Sequence, residues 1–199
     1  MTGTHDVRRR LIDATVELLR EGGLRGASPA AIADRAGASK MSLYRHFEGI
    51  DDLVATALGD YDEEQQQRLI GGPADSTRTP GERIVSMFES AAERADRPGF
   101  NGCLYVSTRL EVCDAEHPAA ESARQHKQAM LEVLEAVLAE GGDPAPRQSA
   151  AFVLMLYDGA LVHAVLQGSG APLRQATAAL AQLLPEVFAG LQVHPDGAG

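Results

Sequence analysis

The chain has 199 residues, 44% of them hydrophobic but only 5% aromatic, with no tryptophan and a formal net charge of −10. A core of that size and composition must be packed with leucine, alanine and valine, which favours helices over sheets. No run of 18 uninterrupted apolar residues and no basic-then-apolar leader is seen, so the expectation is a soluble cytoplasmic protein with no membrane partner.

Residues 5–22 place Val7, Leu11, Ala14, Leu18 and Leu19 on one stripe and end at Gly22 and Gly23, the pattern of an amphipathic helix. The next stretch, SPAAIADRAGASKMSLYRHF from Ser28 to Phe47, reads as two short helices joined by a tight turn. Ser28 can cap the first, and Pro29 at the first helical position gives up an N–H that had no partner. Gly37 can close that helix in the left-handed conformation. Ser39 caps the second, which runs to Phe47 with Leu43 and Phe47 on one inward face. Lys40, Met41, Ser42, Tyr44, Arg45 and His46 remain outside, and a helix start bearing cations, a hydroxyl and aromatic hydrogen-bonders suits a major groove flanked by phosphates.

Ala33, Gly37, Ser39, Leu43, Tyr44, His46 and Phe47, with an amphipathic helix before and after, resemble the DNA-binding domain of TetR-family transcriptional regulators. The resemblance covers the first quarter of the chain. It implies that Ser39–Phe47 is a recognition helix, with Lys40, Met41, Ser42 and Arg45 facing bases or nearby backbone and Tyr44 and His46 holding phosphates. Together with the caps Ser28 and Ser39 these form the candidate DNA-contacting set. One departure matters: where the family usually has Pro-Ser-Lys, whose lysine contacts phosphate, this chain has Glu48, Gly49 and Ile50. Arg8 and Arg10 are further cations that could approach the backbone.

The charge is distributed unevenly. Residues 1–50 hold eight Lys/Arg against six Asp/Glu, and the remainder holds ten against 22, so the acidity belongs to the second part. DNA responds mainly to the nearby field, and the balance permits nucleic-acid binding by the first part.

A fourth helix is expected over residues 50–69, with Leu53, Val54, Ala57, Leu58 and Tyr61 facing the three-helix head. Gly71–Pro80 reads as a loop. Helices follow over 81–94, with Ile84, Val85, Phe88 and Ala91 apolar, and over 101–113, where strand-like residues lack a strand to pair with. Pro118 can open a helix through Glu140, and Gly141, Gly142 and Pro144 end it. Residues 147–167 are apolar almost all round and 173–191 are again amphipathic. A helix apolar on every side must be covered on every side, so the last two helices are expected to form a four-helix interface with a second copy of the chain. The tail 192–199 is expected to be disordered. The expected plan is therefore all-α, with a helix-turn-helix head at 1–49, a connecting helix at 50–70 and a helical ligand-binding and dimerisation domain at 71–191. The stretches GFNGCLYVSTRLEV, EHPAAESARQHK and YDGALV resemble one C-terminal subgroup of the same family.

Cys103 and Cys113, ten residues apart, would stand about 15 Å apart on one helix, beyond disulfide reach. Glu111, Cys113, Asp114, His117, His126 and His163 match no zinc signature, and no glycine loop cradles phosphate, so neither an enzyme nor a cofactor is expected. His117 reads as a helix-start residue and His126 as solvated. His163 reads either as a core histidine bonded to a carbonyl or to Asp158, or as the polar anchor of an apolar cavity. Candidate cavity walls are Met87, Phe88, Cys103, Tyr105, Met130, Met155 and Tyr157, with Arg109 available to an anion, although methionines and aromatics at helical spacing also make plain core. The resemblance implies a regulator that represses from a near-palindromic double-stranded DNA operator and is released by a small-molecule inducer. The competing reading is a helical small-molecule binding protein with a vestigial head.

Overall fold

A computed structural model describes residues 2–69, 77–112 and 114–189, with side chains at 2–5 and 62–69 outside the description. The described residues form α1 (Thr2–Gly26), α2 (Pro29–Arg35), α3 (Lys40–His46), α4 (Ile50–Leu69), α5 (Pro80–Ala95), α6 (Leu104–Glu111), α7 (Pro118–Glu140), α8 (Pro146–Gln167) and α9 (Ala171–Leu183), with no strand among them. The expected loop over Gly71–Pro80 lies outside the described residues up to residue 76. The expected tail 192–199 lies outside them as well.

The helices gather into two compact units. One takes the chain to Glu64 together with Cys103–His126, and the other takes Gln65–Gly102 and the chain from Lys127 onward. This division differs from boundaries at residues 49 and 70. The reason is burial: Leu104 and Tyr105 of α6 and Ala119 and Ala123 of α7 belong to the same apolar cluster as Leu11, Ile12 and Leu19 of α1, Ile32, Leu43 and Phe47 of the helix pair, and Leu53 and Leu58 of α4. Each large side chain buried there contributes about 1.5–3 kcal/mol. Three-helix heads are small, and these additional helices supply apolar surface that α1, α2 and α3 cannot supply to one another.

Two expectations inside this unit are corrected. α1 does not stop at Gly22 and Gly23 but continues to Gly26 across a break, with Gly22 at φ −144° and ψ 16° and Gly23 at φ 62° and ψ −162°. His126 is not solvated: it is 3% exposed, and its ring stacks on Tyr105 with centroids 3.7 Å apart and planes inclined by 9°. Ala119, Ala123 and His126 recur at helical spacing, so the histidine falls on the buried stripe of α7. Tyr105 completes the packing by donating its hydroxyl to the Leu58 carbonyl at 2.9 Å.

In the second unit, α5 begins one residue earlier than its pattern implied. Thr79 caps it with a capping box, accepting from the Glu82 amide at 3.3 Å while the Thr79 amide donates to Glu82 Oε2 at 2.7 Å. Ile84, Met87, Phe88 and Ala91 are fully buried along it. Phe88 meets Tyr157 of α8 edge to face at 5.1 Å, a favoured aromatic geometry. α9 starts hard against α5: a Cβ at Gly170 would lie 2.4 Å from the Ala92 carbonyl oxygen, so only glycine fits. Asp96 secures that junction, accepting from the Gly170 amide at 2.7 Å and from Arg174 at 2.5 Å. α9 ends at Leu183, short of the expected Leu191. Pro185 is the cause, because a residue preceding proline is pushed out of helical geometry, and Leu184 stands at φ −126° and ψ 58°.

α8 buries Ala150, Val153, Tyr157, Leu161 and Ala164 on one stripe. Its other flank leaves Phe152, Met155, Val162, Val165 and Leu166 exposed, Met155 by 67% and Leu166 by 75%. Among the described residues α8 is the helix long and apolar enough to cross a membrane, and its buried stripe is what a core helix of a helical bundle also presents.

Arg174 and the Gly170 amide hold the Asp96 carboxyl below its ordinary value of 3.8. A lowered folded-state value stabilises the fold above the ordinary carboxylate range and is lost as pH falls through it. Asp96→Asn is therefore expected to lower the melting temperature at neutral pH, with the gap to wild type constant down to about pH 4 and closing below it. A gap independent of pH in thermal melts would contradict this role.

Candidate nucleic-acid interface

α2 and α3 are each seven residues long, too short to persist alone in water. Local signals start and stop them, and burial keeps them. Ser28 is extended, at φ −70° and ψ 152°, and its Oγ accepts from the Ala31 amide at 3.2 Å. Gly37 takes φ 58°, turning the chain at the end of α2 in a conformation that costs glycine little. Ser39 repeats the cap, its Oγ accepting from the Ser42 amide at 3.1 Å and lying 3.1 Å from the Ser42 hydroxyl. The Ser28 and Ser39 side chains thus organise the helix starts. Leu43 and Phe47 point into the apolar cluster, at 0% and 4% exposure.

The opposite face of α3 is open. Met41 is 74% and Tyr44 56% exposed, Lys40 and Arg45 are exposed, and Ser42 and His46 are half-buried at its margins. Lys40 and Arg45 make no ion pair among the described residues, in contrast with cations nearby. Arg35 is committed to Glu21 through two bonds of 2.8 and 3.0 Å and to Glu17 at 3.2 Å, and holds the Glu21 carboxyl below its usual range. Arg8 lies over the Phe47 ring, 5.2 Å from its centroid. Arg10 is exposed.

At the start of α4 the chain is acidic. The Glu48 amide donates to Asp52 Oδ2 at 3.0 Å, and Asp51 Oδ1 lies 3.2 Å from His117 Nε2. The Ala119 amide donates to His117 Nδ1 at 3.1 Å, so the ring proton sits on Nε2, facing Asp51. Carboxylates suit a helix N-terminus, but here they flank Ile50, the position at which the resemblance places a phosphate-binding lysine.

The residues proposed as cavity walls are dispersed. Met87, Phe88, Met130 and Tyr157 are buried in the second unit, where Phe88 and Tyr157 are brought together. Cys103, Tyr105 and Arg109 belong to the first unit. Cys103 stands at the start of α6, outside any disulfide among the described residues, and Arg109 donates to the Val112 carbonyl at 2.8 Å. Met155 and His163 lie on the exposed flank of α8, so within one chain neither lines an interior cavity and His163 is not a core histidine; Asp158 pairs instead with Lys127 at 2.5 Å. An open cavity of about 250 Å³ does occur in the second unit, formed by residues 95–100 with Ala164 and Gly168. Sequence reasoning missed it because a loop and a helix end make it. Of the residues weighed for metal, Glu111 binds the Leu24 amide and Cys113 lies outside the described residues.

Residues 11–57 match the family profile of bacterial regulatory proteins of the tetR family, and residues 80–179 match the C-terminal domain of LmrA/YxaF-like transcriptional regulators. The chain belongs to the TetR family. A TetR-type regulator of known structure from Streptomyces avermitilis is 29% identical, with a TM-score of 0.78 over 94% of this chain and 99% of that one. Among curated relatives, the transcriptional repressor KstR of Mycobacterium tuberculosis is 38% identical over 52 residues, and the regulator BetI of Escherichia coli is 27% identical over 127. These stretches cover 26% and 54% of this chain, and span only 24% of KstR and 65% of BetI. As in other TetR-family members, an N-terminal helix-turn-helix precedes a helical C-terminal region. The local consequence is testable: Ser39→Ala should cost about 1 kcal/mol of stability in chemical denaturation, the usual value of a helix cap. An unchanged midpoint would show that α3 does not depend on this serine.

Proposed function

We propose that the chain is a DNA-binding transcriptional regulator acting as a homodimer, a repressor released from a near-palindromic operator by a small-molecule inducer. The observation that carries this reading is the two-faced α3: Leu43 and Phe47 are buried while Lys40, Met41, Tyr44 and Arg45 face outward from a compact support. Helix-turn-helix proteins place such a face in the major groove, where direct readout of bases is possible. Lys40, Met41, Ser42 and Arg45 read base edges or adjacent backbone, and Tyr44 and His46 hold phosphates. Family membership and the description of KstR as a repressor support repression.

The exposed flank of α8 joins α9 in pairing two copies of the chain. Phe152, Met155, Val162, Val165 and Leu166, with Leu183 of α9, are exposed large hydrophobics, and a face-to-face interface removes them from water. Inducer binding in the second unit shifts the population between dimer geometries, which requires unequal affinity for the two. Location of the protein in the cytoplasm follows from action on DNA.

The second reading, a helical small-molecule binder with a weak head, is favoured by Glu48, Asp51 and Asp52 at the start of α4, where carboxylates repel phosphate. A mobility shift on the DNA upstream of the protein's own gene separates the two. The regulator reading predicts a shifted band at moderate salt, and none is expected if the head is vestigial.

Within the regulator reading, Tyr44→Ala should weaken binding on all duplexes about equally, whereas Arg45→Ala should cost about 1–3 kcal/mol on the preferred sequence and relax preference at one position. Unchanged operator affinity for Tyr44→Ala would refute its phosphate role. Met155→Glu combined with Leu166→Glu should convert the dimer to monomer in sedimentation velocity, and a persistent dimer would place the interface elsewhere.

A further inference from the structure

The break in α1 has a counterpart on another helix. At φ 62° and ψ −162°, Gly23 occupies backbone space open essentially to glycine alone. The following amide, Leu24 N–H, is taken by Glu111, the last residue of α6, whose two carboxylate oxygens lie 3.1 and 3.3 Å from the nitrogen. Glu111 can come this close only because Gly23 has no side chain: a Cβ there would sit 2.1 Å from Oε1 and 2.9 Å from Cδ. A glycine-only backbone and a notch shaped to one carboxylate thus coincide.

The contact leads directly toward the DNA-facing helices. The Leu24 carbonyl accepts from the Ala27 amide at 3.2 Å, Ala27 is buried, and the next residue is Ser28, the cap of α2. α6 is itself anchored in the same unit, through the Tyr105 bond to Leu58 of α4 and through Arg109, which holds the Val112 carbonyl just past Glu111. We propose that Glu111 is a positioning residue for DNA binding: by seating in the Gly23 notch it fixes the path from α1 into α2 and so the presentation of α3. This inference rests on the regulator reading above.

The test uses the full-length dimer and a duplex selected from random sequence by the wild-type protein, with affinity measured at fixed salt. Exchange of the Leu24 amide is followed in parallel in the absence of DNA. Glu111→Ala should speed Leu24 exchange and weaken binding about fivefold, the worth of one modest hydrogen bond, with the melting temperature near wild type. Glu111→Gln keeps an acceptor and should restore affinity to within about twofold. A mere charge effect predicts the reverse, since removing a carboxylate near phosphate tightens binding in both variants. Tighter or unchanged binding by Glu111→Ala, or failure of Glu111→Gln to restore it, overturns the proposal. If the wild-type protein selects no duplex, the regulator reading falls and the positioning role with it. Leu24 exchange then still reports whether the contact itself exists.

Discussion

A helix of two turns cannot hold itself in water, and that constraint governs the first unit. Forming so short a helix fixes several backbone dihedrals for few hydrogen bonds, so α2 and α3 exist because Ile32, Leu43 and Phe47 are buried against α1 and α4. Burial on one side also settles what the other side can be. Once Leu43 and Phe47 are committed inward, Lys40, Met41, Tyr44 and Arg45 must face out, fixed in direction by the same packing that makes the helix stable. A DNA reader requires this combination of rigid support and unencumbered side chains, because contacts on a fixed scaffold forfeit less entropy on binding.

Electrostatics refine the picture without creating it. The net charge of −10 is concentrated beyond residue 50, and at the Debye length of physiological salt, about 8 Å, most of that charge is screened from a distant phosphate. The local field is what matters, and it is mixed. Arg35 is neutralised by Glu17 and Glu21, leaving Lys40 and Arg45 without ion pairs among the described residues. The carboxylates at the start of α4 favour that helix's own dipole and oppose phosphate, while the proton on His117 Nε2 faces Asp51 and moderates one of them. On the proposed reading, binding of DNA therefore rests more on α3 and its capping amides than on a general basic surface.

The parts of the structure legible in the sequence are those governed by neighbours in the chain. Ser28, Gly37 and Ser39 announce the starts and stop of the paired helices because caps and left-handed turns are local chemistry. The stripe Leu11, Ala14, Leu18 and Leu19 announces α1 because periodicity is local too. What the sequence concealed is long-range. Nothing in LYVSTRLE says that α6 joins the N-terminal helices, or that Glu111 will meet an amide in α1. His126 has polar neighbours in the chain, yet it falls on the inner stripe of α7 against Tyr105. Met155 and His163 lie on a helix whose sequence is apolar almost all round, and only the packing of α8 decides which arc is inside. Pro185 is a local stop for α9, although apolar residues at helical spacing continue past it.

The central claim is that the exposed arc of α3, held by buried Leu43 and Phe47 and duplicated by dimerisation, reads DNA. The most direct measurement is selection of bound duplexes from a random pool by the wild-type dimer, beside a variant in which Lys40, Tyr44 and Arg45 are all alanine. The account predicts that the wild type enriches an inverted repeat and that the variant, equally folded and dimeric, enriches nothing. Enrichment of the same repeat by both proteins would contradict it.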